Sequence, residues 1–127
     1  MISPRKFKFS LKYAWNGLRY LYSSQNNVRI HLLVTIFVVV CGILLRISLI
    51  EWGVIILAIG LVWAVEALNT VFERLFDLLD ENYNPIIKIG KDVSAAAVLI
   101  SAIISAIIGI LILAPPFIDL LIKWSNY

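Results

Sequence analysis

A glutamate lies inside a long apolar stretch of this sequence and is followed by polar side chains at helical spacing. Glu66 belongs to the stretch 52–72. The polar residues that follow it, inside this stretch or just beyond it, are Asn69, Thr70, Glu73 and Asp77. At 100° per residue, three of these four lie within about 40° of Glu66 on a helix, and Asn69 lies about 60° away. They therefore form one polar stripe. Because a carboxylate in a membrane-crossing segment is energetically costly, Glu66 is a candidate functional residue.

The stripe carries groups suited to proton transfer and to metal binding. A carboxylate beside a hydroxyl can remove its proton as a general base, and Glu66 is the candidate for that role. Glu73, about two helical turns further on, offers the oxygen ligands that Mg²⁺ prefers. Lys91 and Asp92 begin the third apolar stretch at the same membrane level, and a lysine there can contact phosphate oxygens. Gly90 precedes Lys91 without the upstream glycine of a phosphate-binding loop. From these residues alone, acid–base or metal chemistry and a polar packing network are equally good interpretations.

The composition indicates a small integral membrane protein. The chain has 127 residues, of which 61% are hydrophobic and 15% are charged. This is too apolar for a soluble domain and too short for several domains, so we expect one membrane unit over 1–127. Cys41 is the only cysteine, which excludes an internal disulfide. A chain this apolar is also a poor candidate for binding nucleic acid.

The hydropathy pattern predicts an all-α fold with four helices. Residues 5–22 have basic side chains on one helical face and aromatic or aliphatic ones on the other, as in amphipathic helices that lie on a membrane surface. Three apolar stretches reach the roughly 20 residues that a bilayer demands. They predict transmembrane helices at about 28–49, 52–79 and 86–114.

The ends of the spans follow from local signals. The second span is expected to continue as a polar extension to about Leu79, and a segment rich in Asp, Asn and Pro at 80–85 predicts a turn. The third span is free of charge over 93–114 and is expected to break at Pro115 and Pro116, because proline cannot donate a helical hydrogen bond. The first two spans are expected to be joined by a tight hairpin loop.

The distribution of positive charge predicts the orientation. Nine of the eleven Lys and Arg residues precede the first span or flank the second loop, whereas Arg46 and Lys123 lie on the opposite side. Positive residues are enriched on the cytoplasmic side, so the N-terminus and the loop over 73–92 are expected in the cytoplasm. The basic N-terminal segment also suits contact with anionic membrane lipids.

Small residues recur every four positions along the third span. They are Ala97, Ser101, Ser105 and Gly109. Small residues at this spacing let helices approach closely in lipid. Since three helices shield intramembrane polar groups poorly, we infer a homo-oligomer.

Several motifs together resemble the prokaryotic diacylglycerol kinase family. They are Glu66-Ala67-Leu68-Asn69-Thr70, Glu73, Asp77, and Lys91-Asp92 followed by Ala95-Ala96-Ala97-Val98. Tyr13-Ala14-Trp15-Asn16-Gly17-Leu18-Arg19 and Arg29-Ile30-His31 are also similar to that family, and the resemblance covers about residues 6–114. The Arg29-Ile30-His31 stretch favours the undecaprenol kinase branch of Gram-positive bacteria.

The resemblance implies a homotrimer of three-span chains in a bacterial cell membrane. Such a protein transfers the γ-phosphoryl group of ATP to a lipid alcohol, with Mg²⁺. Carried over by residue, Glu66 is the catalytic base, which also meets the substrate hydroxyl, and Asn69 is its site partner. Glu73 binds the metal beside the nucleotide. The remaining implied positions are Lys91, Asp92 and Tyr13 at the nucleotide, and Arg19 and Ala95 at the lipid.

Two departures from the family pattern leave alternatives open. Gln25 stands where the family usually has a second metal-binding glutamate, and Ala95 stands near a family serine. A kinase-like protein of weakened activity is therefore one alternative. A small multidrug-type cation transporter that uses a membrane glutamate is another. The lipid alcohol, diacylglycerol or undecaprenol, is left undetermined.

Four further residues are interpreted more simply. His31 is expected to be an interfacial or hydrogen-bonded histidine and not a metal ligand. Trp63 is assigned to packing, Arg74 to the headgroup region, and Asp77 to a solvated or ion-paired position.

Overall fold

Four α-helices follow one another in the computed structural model, which describes residues 3–79 and 84–126. They are α1 (Pro4–Ser24), α2 (Asn26–Leu45), α3 (Leu49–Leu79) and α4 (Pro85–Ser125). Of the described helices, α2, α3 and α4 are long and apolar enough to cross a membrane. The 20 residues of α2 correspond to about 30 Å at 1.5 Å per residue, which is close to the thickness of a bilayer's hydrocarbon core.

The central helix is α3, which packs most extensively against α4. Its buried residues are Ile55, Ala58, Val62, Glu66, Asn69 and Thr70. Their spacing of three and four residues places them on one helical face. That face is apolar over the first part of α3 and polar from Glu66 onward, so the interior of the bundle becomes polar toward the C-terminal half of α3.

A hairpin of three residues, 46–48, joins α2 and α3, and both of the helix ends beside it are capped. Arg46 adopts the left-handed conformation with φ 53°. Its N–H donates to the Ile43 carbonyl at 3.2 Å, and the Ile47 N–H donates to the Gly42 carbonyl at 3.2 Å. This is the hydrogen-bond pattern of a Schellman motif. The first span therefore ends at Leu45 and not at residue 49.

A capping box begins α3. The Ser48 N–H donates to Glu51 Oε2 at 2.6 Å, and the Glu51 N–H donates to Ser48 Oγ at 3.3 Å. Such reciprocal bonds satisfy two of the unpaired donors at a helix start. Helix α3 therefore begins at Leu49, earlier than the residue 52 expected from hydropathy.

The predicted break at Pro115 and Pro116 is wrong, because α4 continues through both prolines to Ser125. Proline's fixed φ is compatible with a helix, and membrane helices tolerate the lost hydrogen bond where other groups satisfy the freed carbonyl. At its other end α4 begins with Pro85 in its first turn and with Asn84 as cap, whose Oδ1 accepts from the Ile86 N–H at 2.9 Å. Residues 80–83 of the predicted turn lie outside the described residues.

Two of the small residues of α4, Ser101 and Ser105, lie in the interior of the chain or contact its helices. Ser101 is buried, and Ser105 Oγ donates to the Ala58 carbonyl of α3 at 3.1 Å. A side chain this short can reach a neighbouring backbone only where two helices lie close together. Close approach also explains Gly90, because an added Cβ there would overlap the ring of Phe76. Gly90 thus has a packing role between α3 and α4.

Helix α1 is joined to α2 at Gln25, which caps both helices. All of its described residues except Leu21 and Ser24 are exposed, and these two are partly exposed. Arg74 of α3 lies over the ring of Tyr20 at 5.6 Å from its centre. Such a cation–π contact is attractive, so Arg74 links α3 to α1 in addition to any headgroup contact.

Candidate active site

An open cleft of about 240 Å³ surrounds the polar part of α3. Its lining residues are Asn27, Ile30, His31, Glu66, Asn69, Glu73, Ala95, Val98, Leu99 and Ala102. Helix α2 contributes its first turns, α3 contributes the polar stripe, and α4 contributes small and apolar side chains. The cleft therefore has one polar wall facing an apolar one.

Glu66 is buried in this cleft, with 2% of its surface exposed. Its Oε2 accepts no hydrogen bond from the described residues, and neither does Oδ1 of Asn69. Buried polar atoms are normally satisfied, so unpaired oxygens in a cleft are available to groups that the chain itself does not supply. The Thr70 hydroxyl does not satisfy the Glu66 carboxylate, because it donates to the Glu66 backbone carbonyl at 3.0 Å.

His31 is the ionisable side chain nearest to Glu66. Its Nε2 lies 3.9 Å from Glu66 Oε2, and its side chain is 18% exposed. One hydrogen bond holds this part of α2 against α3, since the Trp63 Nε1–H donates to Thr35 Oγ1 at 3.2 Å. Within α2, the Thr35 hydroxyl donates to the His31 carbonyl at 2.7 Å. Trp63 is therefore a hydrogen-bonded anchor as well as a packing residue.

Glu73 is held at the mouth of the cleft by two amides. Gln25 Nε2 donates to Glu73 Oε2 at 3.0 Å, and Asn69 Nδ2 donates to Glu73 Oε1 at 3.1 Å. The structure thus brings Gln25, at the junction of α1 and α2, together with Asn69 and Glu73 of α3. Each amide also carries an oxygen, and a half-turn of its terminal group exchanges oxygen for nitrogen.

This donor set fits Mg²⁺. Mg²⁺ binds oxygen, usually through one or two carboxylates plus phosphate oxygens and water. Glu73 supplies the carboxylate, and Gln25 supplies an amide oxygen once its terminal group turns over. Within residues 3–79 and 84–126, no three His, Cys, Asp or Glu side chains are grouped to hold a metal by themselves, so phosphate or water oxygens would complete the coordination.

Lys91 and Asp92 lie outside the set of residues that line the cleft and are held in ion pairs. Lys91 Nζ contacts Asp77 Oδ1 at 2.6 Å, and Lys88 Nζ contacts Asp92 Oδ2 at 2.5 Å. Asp77 is thus ion-paired, as expected. Since these four side chains are between 38% and 62% exposed, solvent screens both pairs and they can exchange partners readily.

The remaining predicted site residues divide between the cleft and the surface. Ala95 lines the cleft. Tyr13 and Arg19 are exposed on α1 and do not belong to the described lining. Within one chain, α1 therefore brings neither residue to Glu66.

An apolar groove of about 770 Å³ adjoins the cleft. Ile30, His31 and Ala102 line both cavities. From there the groove follows α2, α3 and α4 to Ala114 and Phe117. Its lining is almost entirely apolar, so it suits a hydrocarbon chain whose polar end reaches Glu66.

The sequence interpretation missed the closeness of His31 to Glu66. One available signal was its position near the start of an apolar span, where a side chain that is polar and ionisable is uncommon. The distance itself depends on how α2 packs against α3, which no periodicity within a single helix records.

The chain is similar to known proteins over most of its length. The family model described as prokaryotic diacylglycerol kinase matches residues 12–113. An undecaprenol kinase of Bacillus subtilis is 37% identical over 110 residues, which make up 87% of this chain and 89% of that protein. A diacylglycerol kinase of Escherichia coli is 30% identical over 95 residues, 75% of this chain and 78% of that protein.

A longer relative matches as well. A diacylglycerol kinase of Synechocystis sp. is 38% identical over 114 residues. The match covers 89% of this chain and 65% of that protein, so this chain spans just under two thirds of the relative's length.

Three apolar helices, one of which carries the buried carboxylate of Glu66, define a small multi-pass membrane protein. Its polar site lies between α3 and the first turns of α2. The chain belongs to the prokaryotic diacylglycerol kinase family, since the family model covers most of it. It is accordingly a bacterial membrane protein of a lipid kinase family, and the resemblance seen in its motifs is confirmed.

Proposed function

We propose that this protein transfers the γ-phosphoryl group of ATP to the hydroxyl of a membrane lipid, either diacylglycerol or undecaprenol. The observation that carries the proposal is the buried carboxylate of Glu66, whose Oε2 accepts no hydrogen bond from residues 3–79 and 84–126. It lies in a polar cleft that adjoins an apolar groove. Family membership supports the reaction class.

Glu66 acts as the general base. Its Oε2 accepts the proton of the lipid hydroxyl, and the hydroxyl oxygen then forms a bond to the γ-phosphorus as ADP leaves. A positioned base of this kind accelerates a reaction by about 10²- to 10⁴-fold. Asn69, whose Oδ1 is also unpaired, lies one turn further along α3 and orients the groups that enter the cleft.

Glu73 and Gln25 would hold Mg²⁺ at the mouth of the cleft. The ion would supply positive charge that neutralises the negative charge developing on the phosphates during transfer. The two residues are already in contact at 3.0 Å, so the chain needs only a rotation of the Gln25 amide to present oxygen.

Lys91 and Asp92 serve the nucleotide after leaving their present partners. The Lys91 ammonium moves from Asp77 to a phosphate oxygen of ATP, because the triphosphate as a whole carries more negative charge than one carboxylate. Tyr13 and Arg19 on α1 are assigned to the nucleotide and the lipid, and Ala95 to the lipid headgroup. Helix α1 does not reach the cleft within one chain. Tyr13 and Arg19 could take these roles in a homotrimer, where α1 either shifts or contacts the cleft of a neighbouring chain.

The apolar groove receives the hydrocarbon part of the lipid, and ATP arrives from the cytoplasm. Charge distribution supports a cytoplasmic N-terminus. The hydroxyl and the phosphate then meet at the cytoplasmic interface, where Glu66 lies about 9 Å below the level of Phe72 at 1.5 Å per residue.

The test is an assay of purified protein with radiolabelled ATP and Mg²⁺, with diacylglycerol and undecaprenol offered in parallel. The wild type is expected to phosphorylate at least one of them. Glu66→Gln is expected to lose about 10²- to 10⁴-fold in rate, because it removes the base and little volume. Near-normal turnover of this variant would remove Glu66 from the mechanism.

A matched variant separates chemistry from packing. Thr70→Val changes a side chain that is buried on the same face one turn later, and it removes a hydroxyl without removing a base. The oligomer and the melting temperature of Glu66→Gln are measured beside it. A loss of activity that merely follows dissociation or unfolding would favour a structural role for Glu66.

A further inference from the structure

His31 lies close to Glu66, but the phosphoryl transfer proposed above gives it no role. When a lipid hydroxyl is phosphorylated, one proton is left on the base. Glu66 must lose this proton before the next turnover. With only 2% of the residue exposed, its carboxyl group has little direct contact with bulk water.

The neighbouring imidazole offers the shortest way out. His31 Nε2 lies 3.9 Å from Glu66 Oε2, while the His31 side chain is 18% exposed and so connects the buried oxygen with solvent. The distance is longer than a hydrogen bond, but catalytic contacts often tighten only when substrate is bound. The facing atom, Oε2, accepts no other hydrogen bond from the described residues.

The other groups around Glu66 cannot take this role. Glu73 is the second ionisable residue of α3 in the cleft, and the proposed function commits its carboxylate to Mg²⁺, so it is not free to carry the proton. Helix α4 faces Glu66 with uncharged side chains, which are Ala95, Val98, Leu99 and Ala102. The nearby Asn27 and Gln25 do not titrate. Among the described residues that line the cleft, His31 alone has an imidazole, a group that can both accept and release a proton.

The position of His31 is also fixed by the fold. Thr35 donates to the His31 carbonyl, and Trp63 of α3 donates to Thr35. This bridge joins α2 to the helix that carries Glu66. Because the bridge ends on the His31 backbone carbonyl, it fixes the place of His31 along α2 relative to α3.

We infer that His31 is a proton relay for Glu66, a positioning and proton-transfer partner that acts through the base and not on the lipid. The proton taken from the lipid hydroxyl moves from Glu66 Oε2 to His31 Nε2 and leaves the resulting imidazolium to water in the cleft. Glu66 is again a carboxylate and His31 again neutral, so the cycle balances with one proton released per phosphoryl group transferred. This inference rests on the proposed function.

The first test is the variant His31→Gln, which keeps an amide hydrogen-bond donor near Glu66 but cannot accept a proton. We expect kcat to fall about 10²-fold, the lower end of the effect of an acid–base group, with little change in the KM of ATP or lipid. In the wild type the rate falls as acid protonates the imidazole, since a protonated His31 cannot take the proton from Glu66. The variant is expected to lose this part of the pH dependence.

The second test is chemical rescue of His31→Ala by imidazole added to the buffer. The restored rate should rise with pH as the neutral fraction of the added base rises, and it should change across imidazoles of different basicity. Glu66→Gln should not be rescued. Leu33→Ala, which truncates an exposed residue of α2, should be insensitive to imidazole.

The outcomes are distinguishable. A wild-type protein that phosphorylates neither lipid overturns the proposed function itself. An active wild type together with unchanged kcat and pH profile in His31→Gln overturns the relay alone. A lower kcat with an unchanged pH profile and no rescue by imidazole also overturns it, because His31 would then only support the structure. The melting temperature and the oligomer size of each variant are measured first. If His31→Gln does not fold, the imidazole rescue of His31→Ala decides between a relay and a structural role.

Discussion

At the scale of single residues, Glu66 and its helical neighbours could be found from the sequence because their information is local. A 3.6-residue repeat places Thr70 and Asn69 near Glu66 on one face, and all three are buried in the structure. The contact of Gln25 with Glu73 and that of His31 with Glu66 join residues 48 and 35 positions apart. Such contacts depend on how α2 packs against α3. The motif resemblance suggested the contact of Gln25 with Glu73, but nothing in the sequence analysis suggested that of His31 with Glu66.

Replacing Gln25 by glutamate tests the metal assignment. Gln25→Glu would bring a second carboxylate beside Glu73, where the amide now donates at 3.0 Å. Without a cation the two charges repel, and with Mg²⁺ both become ligands. We expect a lower melting temperature in chelator, a larger rise on adding Mg²⁺ than in the wild type, and a lower Mg²⁺ concentration for half-maximal rate.

The control for this variant is Asn26→Glu, which adds the same charge at the start of the same helix on an exposed residue. Both changes gain equally from the helix dipole, so any difference reports the distance to Glu73. Identical Mg²⁺ titrations of the two variants and the wild type would place Gln25 away from the metal.

At the scale of helices, the existence and approximate length of the three apolar helices could be predicted from hydropathy, but their ends could not. The C-terminal end of α2 is formed by Arg46 in a left-handed conformation that is usually adopted by glycine. The glycine that commonly marks a helix end in a sequence is therefore absent here. The start of α3 did carry a signal, the Ser48-x-x-Glu51 pattern of a capping box, which hydropathy alone overlooks. The two prolines were misleading because the helix continues through them.

The capping box leads to a stability prediction. Ser48→Ala removes the hydroxyl that accepts from the Glu51 N–H and leaves that donor without its cap. Loss of a serine cap costs about 1 kcal/mol, so we expect a lower free energy of unfolding in detergent with catalytic parameters of the folded protein unchanged. Ser10→Ala, which removes an exposed hydroxyl within α1, is the matched control. Equal stability of both variants would show that the box contributes nothing measurable.

At the scale of the whole molecule, the membrane character followed from composition, whereas assembly did not. The small residues of α4 predicted a close approach of helices, and Ser105 makes such a contact with α3 of the same chain. A stripe of small residues predicts a close helix contact without identifying the partner helix. The homotrimer consequently stays a prediction. It is tested by measuring the mass of the detergent-solubilised protein.

The arrangement of cleft and groove predicts which alcohols the protein phosphorylates. If the lipid chain occupies the apolar groove between Ile30 and Phe117, its burial supplies binding energy that holds the hydroxyl beside Glu66. Binding energy from such remote parts of a substrate raises the rate at the reacting centre. Glycerol carries the same hydroxyl but no hydrocarbon chain. We therefore expect glycerol to be a poor substrate even at high concentration, in an assay run beside diacylglycerol and undecaprenol in the same detergent micelles.

A groove variant makes this prediction sharper. Ala106 lines the groove but not the cleft, so Ala106→Phe should fill part of the groove while leaving Glu66 and Glu73 in place. Lipid phosphorylation should fall, and the slow reaction with glycerol should not. Efficient use of glycerol without preference for its lipid forms would contradict a lipid kinase. In liposomes without ATP, proton flux driven by cationic drugs and abolished by Glu66→Gln would instead indicate the transporter, because the buried carboxylate would then exchange protons for cations and take no part in phosphoryl transfer.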